Sequence, residues 1–186
     1  MSALLLASEA NNSEVSKALI KGGANLDFQD KRGFTSLHWA SERNNIEVLE
    51  ALIKKRAKLN IQDESGMTAL HHASLGNNLA VIEALVKRSD KLDIVDKSGR
   101  TALHYASLGN NTAVVEALLK RGAKLDIEDN DRKTALDLAS ELELKEIVQM
   151  LTDAEANRGI RKMQQTISEI TSFHPRHKLS TNGSQA

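Results

Sequence analysis

The stretch Thr101-Ala102-Leu103-His104-Tyr105-Ala106 decides the fold, because it recurs along the chain at a fixed interval. Thr68-Ala69-Leu70-His71-His72-Ala73 lies 33 residues before it, and Thr35-Ser36-Leu37-His38-Trp39-Ala40 lies a further 33 before that. A fourth copy, Thr134-Ala135-Leu136-Asp137-Leu138-Ala139, follows, and a shortened copy opens at Ser2. A period in the range of roughly 20–50 residues predicts a repeat architecture, in which each unit buries its apolar face against its neighbours.

Each unit contains the signals of a turn followed by two helices. Asp96 and Gly99, just before the threonine, are typical turn residues, and Thr101 is a good N-cap for a short first helix. Asn110-Asn111 predicts the end of that helix, because asparagine tolerates the left-handed conformation. A second helix follows with an apolar stripe, and the alternating residues 124–129 predict an extended arm into the next unit.

A turn, two helices and an arm repeating every 33 residues resembles the ankyrin repeat over residues 2–151. The resemblance implies an all-α solenoid of stacked helix-turn-helix units with short β-turn or hairpin arms, about five repeats including caps. We interpret the divergent end repeats as caps and expect a start near Met1. We place the boundaries at 1–29, 30–62, 63–95, 96–128 and 129–151 for the repeats, 152–171 for a helical extension, and 172–186 for a polar, disordered tail.

Two second-helix ends depart from the repeat pattern, and a stripe marks the extension. Arg56 replaces the expected glycine, and Ser89-Asp90 replaces Gly-Ala, so we expect looser or reshaped helix ends there. In the extension, Ile160, Met163, Ile167 and Ile170 have helical spacing, while Asp153 and Gly159 weaken continuity with the preceding helix. The stripe predicts either an extra helix folded over the end of the stack or an amphipathic helix that docks a partner.

Composition excludes several classes of function. The formal net charge is zero, which gives no support for a nucleic-acid binder, and the chain has no cysteine for disulfides, Cys-based zinc sites or thiol catalysis. No segment approaches the ~20 apolar residues needed to cross a bilayer, and no signal peptide is evident. We therefore expect an intracellular protein, cytoplasmic or nuclear.

The histidines of the repeated motif invite a test for a metal site. His38, His71 and His104 lie in successive units, where equivalent helices are ~8–10 Å apart, whereas zinc needs its ligands at ~2 Å. The series therefore cannot converge on one ion. The ankyrin resemblance implies that this histidine bonds to backbone and to the threonine hydroxyl. No catalytic triad, paired-carboxylate setting or phosphate-binding loop is evident, so we expect neither an enzyme nor a cofactor.

The resemblance implies that a partner protein binds the concave face, which we define as the turn tips and the exposed sides of the first helices. Trp39 and Tyr105 occupy one position of the first helices, and Trp, Tyr and Arg are enriched at binding hot spots. The alternative is that these rings pack between neighbouring units. We predict that truncating Trp39 or Tyr105 costs ~2 kcal/mol or more of binding. The predicted binding patch comprises Phe34, Trp39, Met67, His72, Leu75, Arg100, Tyr105 and Leu108.

A second hypothesis rests on basic residues that recur at the second-helix ends. Cations there complement the helix dipole by ~0.3–1 kcal/mol each, which is a local reason for their presence. The alternative is a basic ridge that binds an acidic partner, a phosphoinositide or nucleic acid. We favour a protein partner, with no small-molecule substrate, membrane or nucleic acid, and expect a monomer. The cations are Lys54-Lys55-Arg56-Lys58, Lys87-Arg88-Lys91 and Lys120-Arg121-Lys124.

Overall fold

A computed structural model describes residues 2–89 and 91–172 and confirms the all-α repeat architecture. Five short first helices pack side by side in chain order, and the second helices of the first four repeats form a parallel row behind them. The first helices are α1 (Ala3–Glu9), α3 (Ser36–Glu42), α5 (Ala69–Leu75), α7 (Ala102–Leu108) and α9 (Ala135–Glu141). The second helices are α2 (Ser13–Lys21), α4 (Ile46–Lys54), α6 (Leu79–Val86), α8 (Thr112–Lys120) and α10 (Lys145–Ser172).

The helix boundaries follow the predicted signals. Each motif threonine is the N-cap of its first helix, and the histidine or Asp137 three residues later completes a capping box. The first asparagine of each pair adopts the left-handed conformation, with φ of 54° at Asn44 and 53° at Asn110. Leu, Ile, Val and Ala supply most of the buried core, and Leu49, Ile82 and Val115 are fully buried.

The turns stack on one another through backbone hydrogen bonds. The Glu64 amide donates to the Arg32 carbonyl at 2.9 Å, and the Lys97 amide donates to the Ser65 carbonyl at 3.0 Å. Gly66 has φ of +80°, and a Cβ there would lie 2.8 Å from the Lys97 nitrogen. The equivalent residue of the fourth turn is Arg132, at φ 59°. The arms contain no assigned strand within the described residues, so they are turns rather than hairpins.

The two irregular second-helix ends have different structures. Arg56 has φ of +64° and keeps the hydrogen bonds of a regular repeat, including Ala57 N–H to the Leu52 carbonyl at 3.0 Å. The expectation of a looser end is therefore wrong at Arg56, because the left-handed conformation is strained but accessible to a non-glycine residue. At the next end, α6 stops at Val86 and the Ser89 amide donates back to the Leu85 carbonyl, so that end is reshaped as predicted.

The last helix, α10, continues through the predicted break. Asp153 and Gly159 lie inside it, so the expected loss of continuity is wrong. One helix-interior glycine costs only about 1 kcal/mol, and the surrounding Ala, Arg, Lys, Met and Gln are good helix formers. The chain divides into compact units at Thr152 and Asp153. Residues 173–186 of the predicted tail lie outside the described residues, whereas Ser172 is helical.

Candidate functional site

Motif histidines link each first helix to the turn of the next repeat. The Thr35 amide donates to His38 Nδ1 at 3.1 Å, and His38 Nε2 lies 3.2 Å from the Met67 carbonyl. Because Nδ1 accepts a hydrogen bond from the backbone N–H of Thr35, Nε2 carries the ring proton and donates a hydrogen bond to the Met67 carbonyl. His71 and His104 repeat this arrangement. The structural role implied for these histidines is thus confirmed, and burial lowers the pKa of His38 to about 4.

Turn aspartates make hydrogen bonds both within their own turn and to the ring of the following first helix. Oδ1 of Asp63 accepts the backbone amides of Ser65 and Met67, at 2.7 and 2.9 Å. Its Oδ2 lies 2.8 Å from His72 Nε2, and the Tyr105 hydroxyl donates to Oδ2 of Asp96 in the same way. Burial and the bond to Asp96 raise the pKa of Tyr105. Hydrogen bonds at their outer atoms therefore hold the rings of His72 and Tyr105 in place, and the His72 side chain is only 12% exposed.

Two members of the predicted patch lie in the interior. Phe34 is 2% exposed and Trp39 is 4% exposed, and both pack with Leu5 in a buried cluster. Their ring centroids are 4.9 Å apart, and the Arg32 guanidinium covers the Phe34 ring at 4.2 Å. Trp39 therefore packs between neighbouring units, which was the alternative to an exposed position. Phe34 is apolar because it enters the core, so its prediction as a residue of an accessible binding patch is wrong.

Other members of the patch are accessible to different degrees. Leu75 is 56% exposed, whereas Met67, His72, Tyr105 and Leu108 are half-buried. Arg100 is also half-buried, and its Nε donates to Asp129 Oδ2 of the next turn at 3.1 Å. The accessible part of the patch is thus centred on the third and fourth repeats, and Arg100 has a structural bond as well as an exposed edge.

Leucines at the ends of α5 and α7 distinguish the middle of the face from its two ends. Leu75 and Leu108 are equivalent positions, and the same position is Glu9, Glu42 or Glu141 in the other repeats. Gly76 and Gly109 follow the two leucines, and a Cβ there would lie 2.8 Å from Asn78 Nδ2 and 2.7 Å from Asn111 Nδ2, respectively. This change from glutamate to leucine is visible when the five units are compared position by position. The two glycines were missing from the predicted patch.

A cavity of about 440 Å³ lies at the first-repeat end of the concave face. Trp39 is one wall, and its buried Nε1 has no hydrogen-bond partner among the described residues. No sequence pattern predicts this cavity, because it depends on how the first two repeats pack. It is lined by Glu9, Phe28, Gln29, Asp30, Lys31, Arg32 and Trp39.

Several cations at the second-helix ends have local roles. Arg121 donates through Nε and Nη2 to the Val86 carbonyl of the preceding repeat, at 3.0 and 2.7 Å. Lys120 pairs with Glu116 at 2.7 Å, one helical turn earlier. These contacts give Arg121 and Lys120 local partners, whereas the helix-dipole effect stays a prediction. They give no specific support for a basic ridge that binds an acidic partner.

Residues 2–89 and 91–172 contain neither clustered metal ligands nor a helix suited to cross a membrane. No group of three or more His, Asp or Glu side chains in that part is arranged to hold a metal ion. In the same part of the chain, no helix combines the length and the apolar character that a membrane span requires.

Comparison with known proteins agrees with the repeat geometry. The family model described as "Ankyrin repeats (3 copies)" matches the chain over residues 4–96, 56–129 and 88–163. No individual curated protein matches the chain significantly. The three overlapping matches cover all five units seen in the structure.

Proposed function

Because the chain belongs to the ankyrin-repeat family, whose repeats are generally protein–protein interaction modules, we propose that it binds a partner protein through its concave face. The proposed role is that of a scaffold, an adaptor or an inhibitor that occludes its partner. The binding patch is centred on Leu75, Leu108, His72 and Tyr105. The buried Phe34 ring packs against His72, with 4.8 Å between the ring centroids.

The exposure of Leu75 carries this proposal. A leucine side chain that only faces water does not stabilise the fold. The equivalent residues at both ends of the stack are glutamates. Leu75 nevertheless leaves 56% of its surface in solvent. Removing such apolar surface from water on binding is worth about 25 cal/mol per Å². A partner that covers both leucines would recover this free energy.

The surroundings of the two leucines fit a partner's apolar side chains. Gly76 and Gly109 are exposed and carry no side chain, so a partner can contact their backbone directly. The rings of His72 and Tyr105 are held by Asp63 and Asp96, so little side-chain freedom is lost when a partner covers them. An apolar centre with a polar rim is the usual anatomy of a protein interface.

The test is affinity capture with the intact chain and with a Leu75→Ser/Leu108→Ser variant. We expect a captured protein to bind the intact chain and to bind the variant at least ~30-fold more weakly, as for loss of about 2 kcal/mol at a hot spot. The affinity for the captured protein is measured by titration calorimetry on purified components.

Val15→Ser provides the matched control, because Val15 is an apolar residue of α2 with 46% exposure that lies off the concave face. This variant should bind the partner as the intact chain does. Equal binding by the Leu75→Ser/Leu108→Ser variant, with unchanged helicity and thermal stability, would place the interface elsewhere and reject the proposal.

A further inference from the structure

The second half of α10 carries an apolar seam on its surface. Ala156, Ile160, Met163, Ile167 and Ile170 follow one another at intervals of four, three, four and three residues. The four large side chains are 53%, 66%, 54% and 58% exposed, in that order. Alternating steps of three and four make a narrow stripe with a mean period of about 3.5 residues, which is the seam of a coiled coil rather than the broader face of a core helix.

When the five seam residues are assigned to positions a and d of a heptad, the heptad positions of the residues between them follow. The positions that flank a coiled-coil seam, e and g, are all uncharged: Asn157, Gly159, Gln164, Thr166 and Thr171. The charged residues fall at the outer positions b, c and f: Glu155, Arg158, Arg161, Lys162 and Glu169. Charges at e and g set partner choice in coiled coils, and like charges there repel.

This distribution fits a second copy of the same helix. When two identical helices associate, the same e and g residues approach each other, so charged flanks would need to be balanced. The uncharged flanks of α10 present no like-charge pair in either a parallel or an antiparallel arrangement. A helix of another protein would gain no charge-based specificity from these flanks.

The helix is already formed, and two of its polar side chains make hydrogen bonds within it. The Thr166 hydroxyl donates to the Lys162 carbonyl at 3.0 Å, and Gln165 Nε2 donates to Glu169 Oε1 at 3.0 Å. These bonds are internal to the helix, so they remain when the seam is covered. Association therefore buries apolar surface without first ordering the segment.

We propose that the chain self-associates by coiled-coil pairing of residues 156–170 with the same segment of a second copy. This interface is separate from the proposed concave-face interaction and does not depend on it. The exposed seam is the reason to revise the expectation of a monomer that the sequence suggested.

Sedimentation equilibrium of the intact chain tests the proposal between about 1 and 300 µM, a range suited to a small interface. The expected mass rises with concentration from that of the 20.4 kDa monomer to that of a dimer or larger assembly. Ile160→Lys/Ile167→Lys, which places two charges in the seam, should weaken the association at least ~100-fold. Gln165→Lys/Ser168→Lys adds the same charge at outer positions and should leave the association unchanged.

Far-UV circular dichroism should show equal helicity for all three proteins, because lysine is a good helix former. Raising the salt concentration should not weaken an association that rests on an apolar seam. A monomeric mass for the intact chain at every concentration overturns the proposal. Association that survives the Ile160→Lys/Ile167→Lys substitutions also overturns it. The same holds if the seam binds only a helix of another protein while the chain stays monomeric.

Discussion

Nε2 of His72 lies 2.8 Å from Oδ2 of Asp63, nine residues earlier in the same repeat. The Tyr105 hydroxyl and Asp96 form the same link in the next repeat. Trp39 occupies the equivalent position one repeat earlier, but its Nε1 makes no such bond. At this position, His72 and Tyr105 therefore link a first helix to the turn of its own repeat. Trp39, at the same position, is buried in the core.

Tyr105→Phe should lower the free energy of unfolding by about 1–2 kcal/mol, because the buried carboxylate of Asp96 loses a hydrogen-bond donor. Urea denaturation with unchanged m-values measures this loss. Tyr105→His is the matched variant, since it recreates the His72–Asp63 pair and should keep more of the stability. Equal stability of Tyr105→Phe and the natural chain would show that the bond contributes nothing net.

Trp39→Ala should destabilise the fold by about 3–5 kcal/mol, because a buried aromatic side chain is replaced by a cavity. Trp39→Phe should cost less, since it keeps most of the ring and removes an indole N–H that lacks a partner. Thermal and urea unfolding of the two variants distinguish them. A stable Trp39→Ala variant, within about 0.5 kcal/mol of the natural chain, would contradict the buried position of this ring.

Stability should decline as the pH falls from 6.5 towards 4. Burial lowers the pKa of His38 to about 4 and lowers the pKa of His71 and His104. In this interval the unfolded chain binds protons that the folded chain does not, so lower pH favours unfolding. His38 alone should remove about 1.4 kcal/mol per pH unit between its two pKa values.

Urea denaturation at pH 7.0, 6.0 and 5.0 measures this dependence. His38→Gln should reduce its slope, although the variant starts from a lower stability because the links to Thr35 and Met67 change. A free energy of unfolding that stays constant between pH 7.0 and 5.0 would mean that these histidines do not remain neutral in the folded chain.

Gly66→Ala should destabilise the fold by at least about 3 kcal/mol, because it combines a left-handed conformation with a backbone clash. The new Cβ would lie 2.8 Å from the Lys97 nitrogen, and neither turn can move without breaking the turn-to-turn hydrogen bond. Arg132→Ala is the control at the equivalent position of the fourth turn, with an expected change within about 0.5 kcal/mol. Similar losses for both variants in urea denaturation would show that turn stacking is not the cause.

Arg56→Gly should stabilise the fold by about 1 kcal/mol, because arginine is strained at φ +64° and glycine is not. The gain is partly offset by the greater freedom of glycine in the unfolded chain. Lys54→Gly, inside the last turn of α4, should instead lose about 1 kcal/mol. A lower melting temperature for Arg56→Gly would indicate that its side chain makes contacts that outweigh the strain.

The interior of the fold was more predictable than the candidate site. Threonine caps, left-handed asparagines and motif histidines depend on contacts within one repeat or between adjacent repeats, and the 33-residue period repeats these contacts along the chain. The site depends on which side of a half-buried helix each ring turns to. Trp39 and Tyr105 occupy equivalent positions, yet one is core and the other has an exposed edge, because Leu5 and Phe34 surround only the first.

The sequence by itself determined the repeat, its period and the helix caps, because these follow from local chemistry repeated in register. The structural role of the histidines was implied by the resemblance to ankyrin repeats. Only the tertiary structure decided which apolar residues remain in solvent. It buried Phe34 and left Leu75 exposed, and it placed Asn78 Nδ2 2.8 Å from the Ser41 carbonyl of the preceding repeat. It also continued α10 past Gly159, since neighbouring helix formers outweigh the cost of one glycine. Exposure is a property of packed neighbours, and no spacing along the chain specifies it.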